Sequence, residues 1–213
     1  AIAWRGWASW CPATTSTESR RGATVRRSVW REGWWQRAKR VRSPNFGPRP
    51  AGSAVTLAIV HSISLPPGVY GGDAVQRLFT NRLDHGAHPY FAQLEGLRVS
   101  AHFFVRRDGQ VLQFVSCNQR AWHAGASSWN GRDNCNDWSV GIELEGLEGE
   151  PFAPRQYRNL IRLLRAVASR YPIAEVVGHE HVAPGRKADP GARFEWRRLV
   201  RALVGHGLRI ATH

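Results

Sequence analysis

Apolar residues along the chain fall into short runs whose spacing separates strands from helices. VTLAIVHS (55–62) is continuously apolar and is bounded by Gly52 and by the Leu-Pro-Pro-Gly of 65–68, the pattern of a central strand buried on both faces; His61 falls at its C-terminal end. DAVQRLFTNRL (73–83) predicts a short helix with Asp73 as its cap. VSAHFFVRRDGQVLQFVS (99–116) places two β-rich runs around Asp108-Gly109, a hairpin signal. WSVGIELEG (138–146) predicts another strand. In PRQYRNLIRLLRAVASRYP, the residues Tyr157, Leu160, Ile161, Leu164, Val167 and Ala168 recur at helical spacing, with Pro154 suited to open the helix and Pro172 to follow it. EVVG (175–178) predicts a short strand and FEWRRLVRALV (194–204) a last helix. Strands and helices mix without a regular βαβ alternation, so the expected fold is α+β, a mixed central sheet covered by helices.

Composition sets a boundary at the front. The net charge is +14, but residues 1–42 hold 10 Lys/Arg against 2 Asp/Glu, whereas 43–213 hold 20 against 14. The same first segment carries six of the ten tryptophans. Residues 1–28 lack periodicity and are expected to be a disordered or artefactual extension. The domain is expected over 29–204 and a tail over 205–213. The basic face of the 154–171 helix reads as a solvated surface, so no nucleic-acid partner is expected. An Arg/Trp arm that binds nucleic acid is the competing use of the first segment. Cys11, Cys117 and Cys135 have no CxxC spacing, which points to a reducing compartment. No run has the length of a membrane span and no apolar stretch follows the basic start, so a cytoplasmic protein without membrane association is expected.

GHEHVAPGRKADPG (178–191) carries the candidate chemistry. Its glycines and prolines predict a loop, yet it holds His179, His181, Lys187 and Asp189. With His61 at a strand end, His179 and Asp189 form a plausible three-ligand zinc set, which leaves a fourth position for the water of a catalytic centre. A carboxylate to take a proton and a cation to hold an oxyanion would complete a hydrolase; Glu143 and Lys187 are candidates. Glu143 and Glu145 share one face of their strand, and alternation does not choose between them. His85, His88, His102, His123 and His181 remain competing histidines.

Four motifs in order, VHSISLPPG (60–68), LRVSAHFFVRRDGQVLQFV (97–115), RAWHAGASSWNGRDNCNDWSVGIELEG (120–146) and GH…APGRKADPG (178–191), resemble the AmpD family of N-acetylmuramoyl-L-alanine amidases. The likeness runs from about Trp30 to about Val204. It implies one zinc per chain held by His61, His179 and Asp189, with Glu143 as the catalytic glutamate and Lys187 polarising the carbonyl. It also implies an anhydromuropeptide substrate, hydrolysed during bacterial cell-wall recycling by what is expected to be a monomer. The same fold hosts non-catalytic peptidoglycan-binding modules; these lose the third ligand, which this chain keeps as Asp189. His181 stands where relatives often have aspartate and is not counted as a ligand. Ser62 replaces a common Asn in the substrate cleft, and Asn134 replaces a common Arg, leaving Arg98 as the candidate for the peptide's acidic end. Trp122 is expected in the core.

Overall fold

The computed structural model describes residues 29–211; the expected extension over 1–28 lies outside them. The strands of the main sheet are β1 (Lys39–Arg40), β2 (Leu57–Ile63), β3 (Phe103–Val105), β4 (Val111–Gln113), β5 (Ser139–Glu145), β6 (Glu175–Gly178) and β7 (Arg209–Ile210). The helices are α1 (Ala74–Phe79), α2 (Pro89–Ala92), α3 (Pro154–Ala168), α4 (His179–Val182) and α5 (Trp196–Leu203). The seven strands lie in the order β7-β6-β2-β5-β3-β4-β1, parallel except for the antiparallel β3–β4 hairpin. This is the mixed, helix-covered sheet expected from the apolar pattern.

The central strands β2 and β5 are almost wholly buried because both of their faces are covered. Ala58, Val60, Val140, Ile142 and Leu144 point to the side packed by α3 and α5, together with Tyr157, Leu160, Leu163, Leu164 and Val167. On α3 the buried stripe includes Leu163, while Ile161 and Ala168 lie at its margin. The opposite face divides into two clusters. One brings Val75, Leu78 and Phe79 of α1 against Phe104, Leu112 and Phe114. The other packs Leu57, Ile59 and Val177 against Ala124, Cys135 and Trp138.

The hairpin turn needs its glycine. Gly109 has φ 92°, and a Cβ there would fall 2.8 Å from Asn159 Nδ2. Asp108 Oδ1 accepts the Gln110 N–H at 2.8 Å, closing the turn. Asp73 does precede α1, but its carboxylate pairs with Arg77 Nε at 2.8 Å, four residues on, and makes no capping bond.

Two segments depart from the sequence-based expectation. The stretch from Gly178 is not loop throughout: His179–Val182 forms one helical turn, in which His181 Nδ1 accepts the Gly178 N–H at 2.8 Å. Residues 209–210, expected in a tail, pair with Glu175 and Val176 as an edge strand. Trp30 and Trp35 are core residues; Trp30 sits edge-on to Phe103 and Tyr171 and donates to the Ala166 carbonyl at 3.2 Å.

Candidate active site

Register places the key side chains together. Glu143 of β5 is the direct partner of His61 of β2, and Gly178 at the end of β6 is the partner of Val60. His179 therefore follows beside His61, and three adjacent parallel strands present His179, His61 and Glu143 near their C-terminal ends, where ligand crevices form in such sheets. The chain then leaves α4 and returns through Lys187 to Asp189. Glu180 N–H donates to the Asp189 carbonyl at 2.9 Å, which closes the loop on itself.

His61, His179 and Asp189 are buried, and one donor atom from each lies within 4.8 Å of the others. Asp189 Oδ2 is 3.2 Å from His61 Nδ1, and its Oδ1 is 3.1 Å from His179 Nδ1. Both imidazoles thus turn Nδ1 toward the carboxylate. Their other nitrogens are engaged behind: His61 Nε2 is 3.0 Å from His123 Nδ1, and His179 Nε2 is 3.1 Å from the Ala124 carbonyl. Burial, and then the neighbouring His179, lower the His61 pKa to about 4, which keeps its ring neutral and able to donate a lone pair. Burial alone would raise the Asp189 pKa, but hydrogen bonds from His179 and His61 outweigh it and hold the carboxyl below the usual range. Two imidazoles and a carboxylate are a donor set that suits zinc.

Glu143 Oε1 stands 4.0 Å from His61 Nδ1, and its Oε2 has no protein partner despite burial. Burial, and then the Asp189 charge, push its carboxyl well above the ordinary value, while Lys187 pulls the other way. Glu145 is different. Its two oxygens accept the N–H groups of Gly71 at 2.7 Å and Arg107 at 2.8 Å, so it ties two loops to the sheet.

The cleft above these residues encloses about 360 Å³ and is lined by His61, Glu143, His179, Lys187 and Asp189, together with Ser62. Lys187 is exposed at its edge. Ser62 Oγ is buried without a hydrogen-bond partner. Trp122, expected in the core, instead lies half-buried on the cleft wall, because its backbone follows Ala121 out of a short strand pair with Phe46 and Gly47. Arg98 is exposed and does not line the cleft, although its neighbours Leu97 and Val99 do. Asn134 is also outside the lining; at φ 53° it opens a 3-10 turn, a left-handed position that suits asparagine. Tyr90 on α2 lines the cleft and escaped the sequence reading, since a four-residue helix shows no periodicity.

The profile of the N-acetylmuramoyl-L-alanine amidase family matches residues 51–192, which span β2 to the loop after Asp189. The chain belongs to this amidase family. Among curated members it is 49% identical to the 1,6-anhydro-N-acetylmuramyl-L-alanine amidase AmpD of Citrobacter freundii over 175 residues, 81% of this chain and 93% of that one. It is also 49% identical to the AmpD of Escherichia coli, covering 95% of that protein. A crystal structure of a selenomethionine AmpD derivative superposes with a TM-score of 0.79 at 48% identity, over 81% of this chain and 97% of that one. The E. coli amidase AmiD, solved with the substrate anhydro-N-acetylmuramic acid-L-Ala-D-γ-Glu-L-Lys, is 29% identical with a TM-score of 0.52, over 72% of this chain and 60% of that one. The amidase fold is therefore shared along nearly the whole described chain.

Proposed function

We propose that this chain is a zinc-dependent amidase that hydrolyses the bond between (1,6-anhydro-)N-acetylmuramic acid and the L-alanine of muropeptides. The observation that carries the reading is the buried gathering of His61, His179 and Asp189 beside Glu143, in a cleft of an AmpD-like fold. His61 and His179 would hold the metal through Nδ1 and Asp189 through its carboxylate. Zinc, when bound, supplies a Lewis acid that acidifies water and polarises a carbonyl.

The protein's own groups account for the proton movements. Glu143 lines the cleft, with one carboxylate oxygen unpartnered and a raised pKa, so its carboxylate takes a proton from the attacking water as the water oxygen bonds to the lactyl carbonyl carbon. Negative charge grows on the former carbonyl oxygen, and the Lys187 ammonium at the cleft edge stabilises it. When the C–N bond breaks, the proton on Glu143 passes to the departing alanine nitrogen, leaving a carboxylic acid and a free amine. Trp122 and Leu97 offer apolar surface for the sugar or its lactyl arm, and Ser62 offers an unused hydroxyl. Arg98, exposed outside the lining, would reach the peptide's acidic end only where the stem extends past the rim.

The relatives' names favour the anhydro sugar, and with it a role in recycling cell-wall fragments inside the cell. Among the described residues no helix is long and apolar enough to cross a membrane. The test compares hydrolysis of anhydromuropeptide, ordinary muropeptide and polymeric peptidoglycan by one zinc-assayed sample. Release of stem peptide with a free L-alanine amine, fastest from the anhydromuropeptide, is expected. Binding of all three without release would make the chain a peptidoglycan-binding module.

A further inference from the structure

One dipeptide stands behind both candidate histidine ligands. The His123 side chain meets His61 Nε2, and the next residue, Ala124, meets His179 Nε2 through its carbonyl. We infer that His123–Ala124 sets the tautomer of both ligand histidines, and that His123 is a positioning residue for the metal site. This rests on the proposal that His61, His179 and Asp189 bind zinc.

The proton assignments follow from the contacts. A ligand nitrogen must carry a lone pair, so with Nδ1 turned to the metal position each ring keeps its proton on Nε2. The His179 Nε2–H then donates to the Ala124 carbonyl, which can only accept. The His61 Nε2–H donates to His123 Nδ1, so Nδ1 of His123 must be bare and its proton must lie on Nε2. That nitrogen is 3.3 Å from Ser139 Oγ, an oxygen able to accept it. The relay runs His61, His123, Ser139 with one proton per link. A metal-binding histidine generally donates its second N–H in this way, and the acceptor fixes ring orientation and strengthens the ligand.

The dipeptide is itself fixed in place. Asn136 Oδ1 accepts both the His123 N–H at 3.0 Å and the Ala124 N–H at 2.9 Å. Arg186 Nη2 donates to the Ala124 carbonyl at 2.6 Å, so that oxygen is anchored from the loop carrying Lys187 and Asp189. The sheet also makes room for the His123 ring. A Cβ on Gly141 would lie 2.4 Å from His123 Cγ and 2.5 Å from its Nδ1. A glycine inside a buried central strand costs stability, and here it admits an imidazole against the strand two residues before Glu143.

The test compares two near-isosteric substitutions, His123→Asn and His123→Leu, in the full chain. Asparagine can offer an oxygen where Nδ1 stands; leucine cannot. Zinc affinity is measured by competition with a chromophoric chelator, and thermal unfolding of the metal-free proteins is recorded beside it. His123→Leu should bind zinc 10- to 100-fold more weakly than the parent, the range seen when such outer partners are lost, and His123→Asn should recover most of that loss. Equal losses in the two variants, or a leucine variant within about threefold of the parent, would overturn the inference while leaving zinc binding by the parent intact. A parent that binds no zinc would overturn both readings. Should His123→Leu not fold, long-range proton–nitrogen spectra of the zinc-loaded parent decide: His123 protonated on Nε2 supports the relay, and His123 protonated on Nδ1 contradicts it.

Discussion

Glu143 keeps one carboxylate oxygen without a protein partner, whereas Glu145 uses both of its oxygens on backbone N–H groups. Glu143→Ala should therefore keep its zinc and its melting temperature but lose at least about 10²-fold in kcat. Glu145→Ala should remove the acceptor of two part-buried backbone hydrogen bonds and cost about 1–3 kcal/mol of unfolding free energy, read by chemical denaturation, with a smaller effect on turnover. Reversed sensitivities would show that the two glutamates had been assigned the wrong duties. His102 gives a pH dependence. Its Nδ1 accepts the Gly141 N–H at 3.0 Å and its Nε2 faces the Gln119 carbonyl at 3.0 Å, so it is held neutral, and burial followed by the Arg49 charge lowers its pKa from 6.5 to about 3. Below pH 6.5 the unfolded chain takes up a proton that the folded one refuses. The contribution of His102 is thus complete above pH 6.5 and is lost progressively as pH falls toward 3. Unfolding free energy should drop between pH 7 and pH 5, and His102→Asn should make that slope shallower, leaving the share that the buried His61 contributes. An unchanged slope in the variant would place the proton uptake elsewhere.

At the level of elements, β5 shows how far a strand could be read from its residues alone. Val140, Ile142 and Leu144 are buried on one side, and the polar residues of the other side share a face, so the run signals a strand and limits the base to Glu143 or Glu145. Physical pattern went no further; choosing Glu143 from sequence needed the family motif, and the free Oε2 supplies the physical reason. Gly141 sits inside that strand, and the His123 ring packed against it accounts for the absence of a side chain. Gly141→Ala should overpack this spot, costing about 1–3 kcal/mol by denaturation, and should lower zinc affinity as well because the displaced ring is the one behind His61. Loss of stability with unaltered zinc affinity would uncouple the ring from the metal. α3 was legible for the same reason as β5, since its apolar residues recur at one period, and β2 was legible from its continuous apolar run. The two-residue strands, α2 and α4 were not, because one turn or one bridge leaves no period to detect. His123, Ala124 and Asn136 were invisible as a unit. Their link to the ligands passes through a loop whose course is set by tertiary hydrogen bonds.

Over the whole molecule, the seven-stranded sheet and every candidate site residue lie within 29–211, and Trp30 already packs on Phe103 and Tyr171. A chain beginning at residue 29 is predicted to match the full chain in melting temperature and zinc content. A drop of several degrees would mean that residues 1–28 contribute to the domain. The sheet brings His61 and His179 together at the ends of neighbouring strands, the α4 loop brings Asp189 back to them, and the face packed by α3 and α5 lies opposite, so the cleft stays open above Glu143. On the proposed reading, that arrangement would make amide hydrolysis depend on a metal held by His61, His179 and Asp189. The direct measurement is the rate of L-alanyl peptide release from anhydromuropeptide, followed in one preparation as zinc is stripped and restored, with metal content assayed at each point. The rate should rise in proportion to zinc and level off at one ion per chain. Full activity in metal-free protein would contradict the account.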